Sequence, residues 1–362
     1  MGNTFTIKDL MRFQSECLPD KISRSLAKIA EWFARWDNEV YVSFSGGKDS
    51  TVLADLCAKW CAIIKKPLFL VFVNTGLEYP EIQKHVKEFA EYLREKYQIE
   101  VDLVILRPQK RFDEVIQEYG YPVISKDVSK TVFSACGGAK NAIMAFEGKN
   151  VNGDHSEFRK RYIKYKPLLS VDFHMSHKCC DIMKKEPAKR YEKETGRKPI
   201  VGTLCEESEL RTKVWLKNGC NAFNAVRAMS QPMSFWTEQD VLHYIKKYQI
   251  PIASVYGDVI YETEPEQIRF EEFGIDCAGQ ENLITTGCNR TGCIFCAFGC
   301  HLEKSPSRFE MLKKTHPRQY EYCIGGGEYN ENGMWQPNKK GLGMGHVFDE
   351  LNKLYGENFI KY

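Results

Sequence analysis

The sequence predicts an α/β protein with a doubly wound, mostly parallel sheet and a C-terminal cysteine-rich segment. Three observations support this fold class. Apolar runs of strand type, at residues 39–44, 67–73 and 101–106, alternate with longer segments of helical periodicity. A turn rich in glycine and hydroxyl residues, Ser-Gly-Gly-Lys-Asp-Ser at 45–50, joins the first run to the helix after it. Four cysteines lie within residues 288–300.

Each element is indicated by its own pattern. A helix is predicted over residues 9–36 because Leu26, Ile29 and Phe33 recur at helical spacing. The run 67–73 is apolar throughout, as expected for a parallel strand that is covered on both faces. The other predicted elements are strands at 39–44, 101–106 and 199–201 and helices at 50–64, 80–97, 111–118, 178–194, 237–247 and 346–355.

Composition narrows the class of protein. The chain has 362 residues, enough for one large domain or two, with 43% hydrophobic and 27% charged residues. Its net charge of +3 is too small to predict nucleic-acid binding from bulk charge. No apolar run reaches the about 18 residues of a membrane span, and the first residues lack the apolar core of a signal peptide. The 14 cysteines are therefore expected as thiols in a reducing cytoplasm, and no membrane partner is expected.

The turn at residues 45–50 has the chemistry of a phosphate cradle. Consecutive glycines let backbone N–H groups converge on an anion, and the N-terminus of the next helix adds positive potential. Ser45, Ser50 and Thr51 offer hydroxyl donors, and Lys48 offers a point charge. The spacing is not that of a Walker A loop, which needs a glycine, four residues and then Gly-Lys-Ser/Thr. The alternative is a tight turn capped by Ser45.

This turn resembles the PP-loop of the ATP-pyrophosphatase superfamily. Further segments resemble the phosphoadenosine phosphosulfate (PAPS) reductase family within it, over about residues 35–325. These segments are Val73-Asn-Thr-Gly-Leu-Glu78, Tyr121-Pro-Val-Ile-Ser-Lys126, Cys179-Cys180-Asp-Ile-Met-Lys-Lys-Glu-Pro187, Gly202-Thr-Leu-Cys-Glu-Glu-Ser-Glu-Leu-Arg211 and Phe235-Trp-Thr-Glu-Gln-Asp-Val241. Together they are specific, although each alone would be weak.

The resemblance implies a set of site residues. Lys48, Asp49 and Arg211 are the expected catalytic residues, and the guanidinium of Arg211 suits an anion. The alternative for Arg211 is a surface helix arginine. The residues expected to bind the nucleotide are Ser43, Ser45, Gly46, Gly47, Lys48, Asp49, Ser50, Asn74, Thr75, Gly76, Lys126, Glu207 and Ser208.

The resemblance also suggests how the chain is organised. We expect an N-terminal helical segment (1–36), a PP-loop nucleotide-binding α/β domain (37–270) with a mobile insertion (126–175), a cysteine-rich segment (271–324) and a C-terminal tail (325–362).

The cysteines form a second constellation. An adjacent pair at 179–180 and a distant Cys-x2-Cys resemble the iron–sulfur branch of the family, the adenylyl-sulfate reductases, in which such cysteines hold one [4Fe-4S] cluster. Here Cys288 and Cys300 are additional, and Cys288 could replace one of the adjacent pair. Four ligands are expected from Cys179, Cys180, Cys288, Cys293 and Cys296. A structural Zn²⁺ site is the competing interpretation, since thiolates suit both.

Three functions follow from the resemblance. The first is adenylylation of an acceptor by ATP with Mg²⁺, coupled to transfer of sulfur from a donor. The second is reduction of PAPS or adenylyl sulfate to sulfite with a thiol reductant, which needs a mobile nucleophilic cysteine. The last cysteine, Cys323, precedes a run of three glycines and is either that thiol or a buried helix cysteine. The third is a non-catalytic nucleotide- or nucleic-acid-binding module with structural zinc.

A basic run interleaved with aromatic residues, Phe158-Arg-Lys-Arg-Tyr-Ile-Lys-Tyr-Lys166, bears on the acceptor. Such a run can contact a phosphate backbone and stack on a base, which makes a nucleic acid a candidate acceptor. The alternative is an ordinary solvated helix face.

Overall fold

The structure is a computed structural model that describes residues 4–262 and 282–362. Its α-helices are α1 Ile7–Gln14, α2 Leu18–Arg35, α3 Lys48–Ile64, α4 Pro80–Tyr97, α5 Phe112–Tyr119, α6 Lys126–Cys136, α7 Lys140–Ala145, α8 Glu157–Ile163, α9 Glu186–Thr195, α10 Glu209–Asn218, α11 Glu238–Tyr248, α12 Arg308–Thr315, α13 Pro317–Ile324 and α14 Met344–Tyr355. Its strands are β1 Val40–Ser43, β2 Leu68–Val73, β3 Val101–Leu106, β4 Val123–Ile124, β5 Lys198–Val201, β6 Asn221–Ala222, β7 Met229–Ser230, β8 Val259–Tyr261, β9 Leu283–Thr285, β10 Ala297–Phe298, β11 Glu328–Tyr329 and β12 Trp335–Gln336.

The described chain divides into two compact units. The first contains the described residues up to Asn74, together with Glu78–Leu106 and the described part of Ala188–Thr291. The second contains Thr75–Leu77, Arg107–Pro187 and Gly292–Tyr362.

The first unit is built on a six-stranded sheet. Its strand order is β3-β2-β1-β5-β7-β6, and all neighbours are parallel except β6, which runs antiparallel to β7. The predicted α/β class with a mostly parallel sheet is confirmed. The chain passes from β1 outward through β2 to β3 and then returns to the other side of β1 at β5. Ligands of open parallel sheets bind at the carboxyl ends of strands where the order reverses, which here is between β1 and β5.

Apolar residues from the flanking helices cover this sheet. Trp32 on α2, Leu53 on α3 and Phe89 on α4 are almost completely buried in one hydrophobic cluster. Trp236, just before α11, is fully buried in the same cluster and donates its indole N–H to Ser25 Oγ at 2.9 Å. This covering explains why the predicted strands read as continuous apolar runs.

The second unit contains the cysteine-rich C-terminal region and smaller sheets. Strand β4 pairs in parallel with β10, and β11 pairs antiparallel with β12. Helices α12 and α14 contribute Phe309 and Phe348, both fully buried, with ring centroids 4.9 Å apart. The segment 126–175, expected to be an insertion, contains helices α6, α7 and α8.

Most predicted elements are present, and two differ. The single helix predicted over 9–36 is wrong, because α1 ends at Gln14 and α2 begins at Leu18 with Pro19 in its first turn. Proline lacks the N–H that a continuous helix requires, so a new helix starts there. The helix predicted over 178–194 begins with a π-helical turn, Asp181–Lys185, before α9.

None of the helices in the described ranges combines the length and apolarity needed to cross a bilayer. The boundary expected between residues 270 and 271 lies outside the described residues.

Candidate functional site

The predicted phosphate loop, residues 45–50, lies between β1 and α3 in the first unit. Gly46 has a φ of 73°, and a Cβ on it would lie 2.8 Å from a side-chain methyl of Ile82, so only glycine fits the position. Gly47 is the N-cap of α3 and provides no side-chain cap. The first turn of this helix thus presents backbone N–H groups at the carboxyl edge of the sheet, as an anion site requires.

Hydroxyl groups tie the loop together. Ser50 Oγ lies 3.0 Å from Ser45 Oγ and donates to the carbonyl of Gly47 at 2.9 Å. The segment after β5 approaches the same turn, because a Cβ on Gly202 would lie only 3.0 Å from the carbonyl oxygen of Asp49. The loops that follow β1 and β5 therefore meet at the reversal in strand order. Ser43 is the last residue of β1 and pairs with Val201 of β5.

Lys48 is buried and fully engaged. Its Nζ forms an ion pair with Glu238 and donates to the carbonyl oxygen of Asn289 at 2.5 Å. Its backbone N–H donates to the hydroxyl of Tyr256 at 3.3 Å, and that hydroxyl lies 2.6 Å from Thr291 Oγ1. Glu238, Asn289 and Tyr256 thus occupy the N–H donors of Lys48 that a bound phosphate group would need.

Asp49 carries an unusual carboxyl group. Burial raises its pKa to about 6, and the nearby carboxylate of Glu238 acts in the same direction. The cations of Lys48, Arg290 and Arg211 oppose the rise. Two guanidinium groups and a lysine therefore lie within electrostatic range of the first turn of α3, the charge that a polyphosphate requires.

Glu207 organises the guanidinium groups. Its carboxylate forms ion pairs with Arg211 and, at 3.0 Å, with Arg290, and it accepts the N–H of Leu204 at 3.2 Å. Ser208 caps α10 by accepting the N–H of Arg211 at 3.3 Å. In this structure Glu207 and Ser208 hold Arg211 in place, so each has a structural role at the site where the sequence predicts a ligand contact.

The residues expected to bind the nucleotide are divided between the two units. The phosphate loop, Asn74, Glu207, Ser208 and Arg211 belong to the first unit. Thr75, Gly76 and Lys126 belong to the second, where Thr75 Oγ1 accepts the N–H of Leu77 at 3.2 Å and Lys126 begins α6.

Five site residues were missed by the sequence analysis: Glu238, Tyr256, Asn289, Arg290 and Thr291. None lies in a phosphate-binding motif, and residues 289–291 fall in the segment assigned to metal binding. Only the fold brings them to the loop.

Four of the five expected ligand cysteines lie in the second unit, and Cys288 lies in the first. The pKa of Cys180 is lowered to about 5, first by a hydrogen bond from the Cys179 thiol and then by Lys126 and Lys184. The pKa of Cys179 is raised by Cys180, by burial and by the nearby Cys296 and Cys293. These four sulfur atoms therefore interact electrostatically.

The Cys-x2-Cys segment forms a tight turn, in which the N–H of Cys296 donates to the carbonyl of Cys293 at 3.0 Å. Arg308 donates to the carbonyl of Cys296 at 2.9 Å. Within residues 4–262 and 282–362, however, no three His, Cys, Asp or Glu side chains converge into a group that could hold a metal ion. The donor chemistry fits a thiolate-ligated cluster or zinc, but the side chains do not form a closed ligand shell.

Cys323 lies on α13 and is completely buried, and burial raises the pKa of its thiol. Its Sγ lies 3.5 Å from Met344 Sδ. Of the two interpretations made from the sequence, the structure agrees with the buried helix cysteine.

The basic run lies on α8 and the turn after it. Phe158 is 66% exposed, and the guanidinium carbon of Arg161 lies 3.9 Å from its ring centroid. Arg161 also forms an ion pair with Asp127 at 3.1 Å. Part of the charge of the run is thus neutralised by the protein itself.

Comparison with known proteins gives a family and a distant structural likeness. No curated protein matches the chain in sequence. Among solved structures, the chain is similar to the NMN synthetase from Francisella tularensis, with 14% identity over 72% of this chain and 83% of that one and a TM-score of 0.32. The profile of the phosphoadenosine phosphosulfate reductase domain matches residues 39–136 and 144–298, more than half of the chain. These segments include the phosphate loop, Arg211 and the paired cysteines, and the chain therefore belongs to the phosphoadenosine phosphosulfate reductase domain family.

Proposed function

We propose that this protein uses ATP to adenylylate an acceptor and couples that step to sulfur transfer. The observation that carries the proposal is the phosphate loop at the reversal in strand order, with Lys48, Asp49 and Arg211 around one helix N-terminus. Family membership supports an adenine nucleotide as the ligand. The cytoplasmic location expected from the sequence is part of the same proposal.

The proposed step is an in-line displacement at the α-phosphorus. A nucleophilic oxygen of the acceptor forms a new P–O bond, the bond between the α-phosphorus and the bridging oxygen breaks, and pyrophosphate leaves with that electron pair. ATP arrives with Mg²⁺. The backbone N–H groups of the first turn of α3 orient the phosphates, and Lys48 and Arg211 stabilise the charge that develops on the leaving group. A sulfur donor then displaces AMP from the adenylylated acceptor.

The cysteines supply the second part of the proposal. Cys179, Cys180, Cys293 and Cys296 would hold a [4Fe-4S] cluster. The support is their thiol chemistry and the electrostatic interaction of Cys179 with the other three, although the described side chains do not form a closed ligand shell. When bound, the cluster supplies redox chemistry or a site for sulfide. Zinc remains the alternative occupant of the same thiolates.

The route through ATP is favoured over sulfonucleotide reduction by the position of Cys323. Reduction requires a thiolate that attacks the sulfur atom of the nucleotide, whereas Cys323 is packed inside α13 with a raised thiol pKa.

We propose a nucleic acid as the acceptor. The support is the exposed ring of Phe158 beside Arg161, a pair that can stack on a base and contact a phosphate.

The test uses protein purified without oxygen, after measurement of iron, zinc and acid-labile sulfide. The protein is incubated with ATP, Mg²⁺ and sulfide, with bulk tRNA or duplex DNA as the acceptor, and AMP and pyrophosphate are quantified by chromatography. Equal amounts of both, dependent on the acceptor, are expected. Release of sulfite from PAPS with dithiothreitol, and no pyrophosphate from ATP, would instead establish the reductase. Binding of a nucleotide without turnover of ATP or PAPS would indicate a non-catalytic binding module.

A further inference from the structure

Three consecutive residues of the cysteine-rich segment contact the phosphate site. The carbonyl of Asn289 accepts from Lys48 Nζ at 2.5 Å, Arg290 Nη2 lies 3.0 Å from Glu207 Oε1, and Thr291 Oγ1 lies 2.6 Å from the Tyr256 hydroxyl. A Cβ on Gly47 would lie 3.5 Å from Thr291 Oγ1, so this segment lies directly against the loop. All these residues belong to the first unit.

Arg290 is the cation that this segment brings. It shares the carboxylate of Glu207 with Arg211, an expected catalytic residue, so its guanidinium is held beside that of Arg211. It also lies near enough to Asp49, in the first turn of α3, for its charge to oppose the rise in pKa that burial causes in that carboxyl group. The two guanidinium groups share one carboxylate, and each guanidinium carries five N–H donors, so donors remain for a further anion.

The exposure of Arg290 argues against a purely structural role. Its side chain is 65% exposed, whereas the side chains of Arg211 and Glu207 are 37% and 16% exposed. An ion pair with so exposed a partner contributes little to stability. A guanidinium that is exposed, pre-oriented by one carboxylate and adjacent to the phosphate loop can instead exchange that carboxylate for a phosphate group at little cost.

We infer that Arg290 binds the phosphate groups of the nucleotide, moving from Glu207 to the ligand when the site fills. The inference rests on the proposed function, because it takes the ligand to be a nucleoside polyphosphate. It assigns to the cysteine-rich segment a role in nucleotide binding that is separate from any metal.

The test is a calorimetric titration of the full chain with Mg-ATP, with inorganic triphosphate and with adenosine. The variants are Arg290→Ala and Arg290→Lys, and Arg12→Ala is the matched control, because Arg12 is 68% exposed and paired with Asp9. Arg290→Ala should weaken ATP and triphosphate binding about tenfold, a typical loss for one charged contact, and leave adenosine binding unchanged. Arg290→Lys should recover part of the loss, and Arg12→Ala should bind like the wild type. Unchanged unfolding temperatures exclude misfolding.

The outcomes separate this inference from the proposed function. If the wild type binds ATP and Arg290→Ala binds it equally well, Arg290 is not a ligand residue and the proposed function stands. If Arg290→Ala weakens adenosine as much as ATP, the phosphate assignment is wrong. If the wild type binds triphosphate but not ATP, the proposed function fails, while a loss of triphosphate affinity in Arg290→Ala still supports the assignment. If the wild type binds neither, both are overturned.

Discussion

Replacing Asp49 with asparagine should stabilise the protein at neutral pH. The pKa of Asp49 is raised from 3.8 to about 6, chiefly because the folded protein buries the carboxyl group in the first turn of α3. Between these two values the folded state binds more protons than the unfolded state, so stability falls as the pH rises through this window. Above about pH 6 the ionised carboxylate continues to destabilise the fold.

The size of the effect follows from the shift. A rise of about 2.2 pKa units corresponds to about 3 kcal/mol at 1.36 kcal/mol per unit. This is an upper limit, because the side chain of Asp49 is only partly buried. By linkage the same shift costs about 1 kcal/mol at pH 4.5, where the folded carboxyl group is still protonated but the unfolded one is mostly ionised. Asp49→Asn should therefore gain up to about 2 kcal/mol more at pH 7.5 than at pH 4.5.

The assay is thermal unfolding of the wild type and Asp49→Asn at pH 4.5, 6 and 7.5 without nucleotide, with Asp258→Asn as the control at an exposed aspartate. One kcal/mol corresponds to about 2 °C or less in a chain of this size. We expect the variant to melt above the wild type at pH 7.5, by up to about 6 °C, with a smaller difference at pH 4.5. A variant that melts at or below the wild-type temperature at pH 7.5 would show that Asp49 is a stabilised carboxylate and refute the reasoning.

Three further predictions concern the two units. Gly46→Ala should lower stability and abolish ATP binding in calorimetry, because a Cβ there meets the methyl of Ile82 at a left-handed φ; unimpaired binding would exclude this loop as the cradle. Burial lowers the pKa of His85 to about 4, so the free energy of unfolding of the wild type should fall by about 3 kcal/mol relative to His85→Gln as the pH falls from 6.5 to 4. If the unfolding temperatures of the two proteins change equally with pH, His85 is protonated in the fold. Cys323→Ala should release AMP and pyrophosphate from ATP at the wild-type rate. A complete loss of activity with the fold intact would make this cysteine the nucleophile.

Local sequence patterns were sufficient for the core of the first unit. Strand β3 and helix α4 have the bounds that were predicted, because an apolar run or an amphipathic period is a property of the segment itself. The turn at residues 45–50 was likewise found where glycines, lysine and hydroxyl groups predicted it. The break between α1 and α2 was missed because the apolar spacing continues through Pro19, although its missing N–H begins a new helix.

The residues that surround Lys48 were less predictable than the position of the loop in the fold. Glu238, Tyr256 and Asn289 reach Lys48 from about 190 to 240 residues away in the chain. Glu238 lies in one of the segments that resemble the family, but no local pattern indicates that any of the three contacts Lys48. Strands β6 and β7 have two residues each, too short for a periodic pattern. Such contacts depend on the order of strands in the sheet, which a single sequence does not specify.

The contacts of Lys48 determine how mutations at this site should be interpreted. A phosphate group gains the Lys48 ammonium only when the ammonium leaves Glu238 and the carbonyl of Asn289. The measured affinity is therefore a difference between two sets of contacts, not the strength of one. Removing Lys48 alone also leaves the Glu238 carboxylate, whose side chain is 43% exposed, without its cation, so the measured loss combines the missing ammonium with an unpaired carboxylate. A double-mutant cycle with Lys48→Met and Glu238→Gln separates the two effects, because the second change removes the stranded charge.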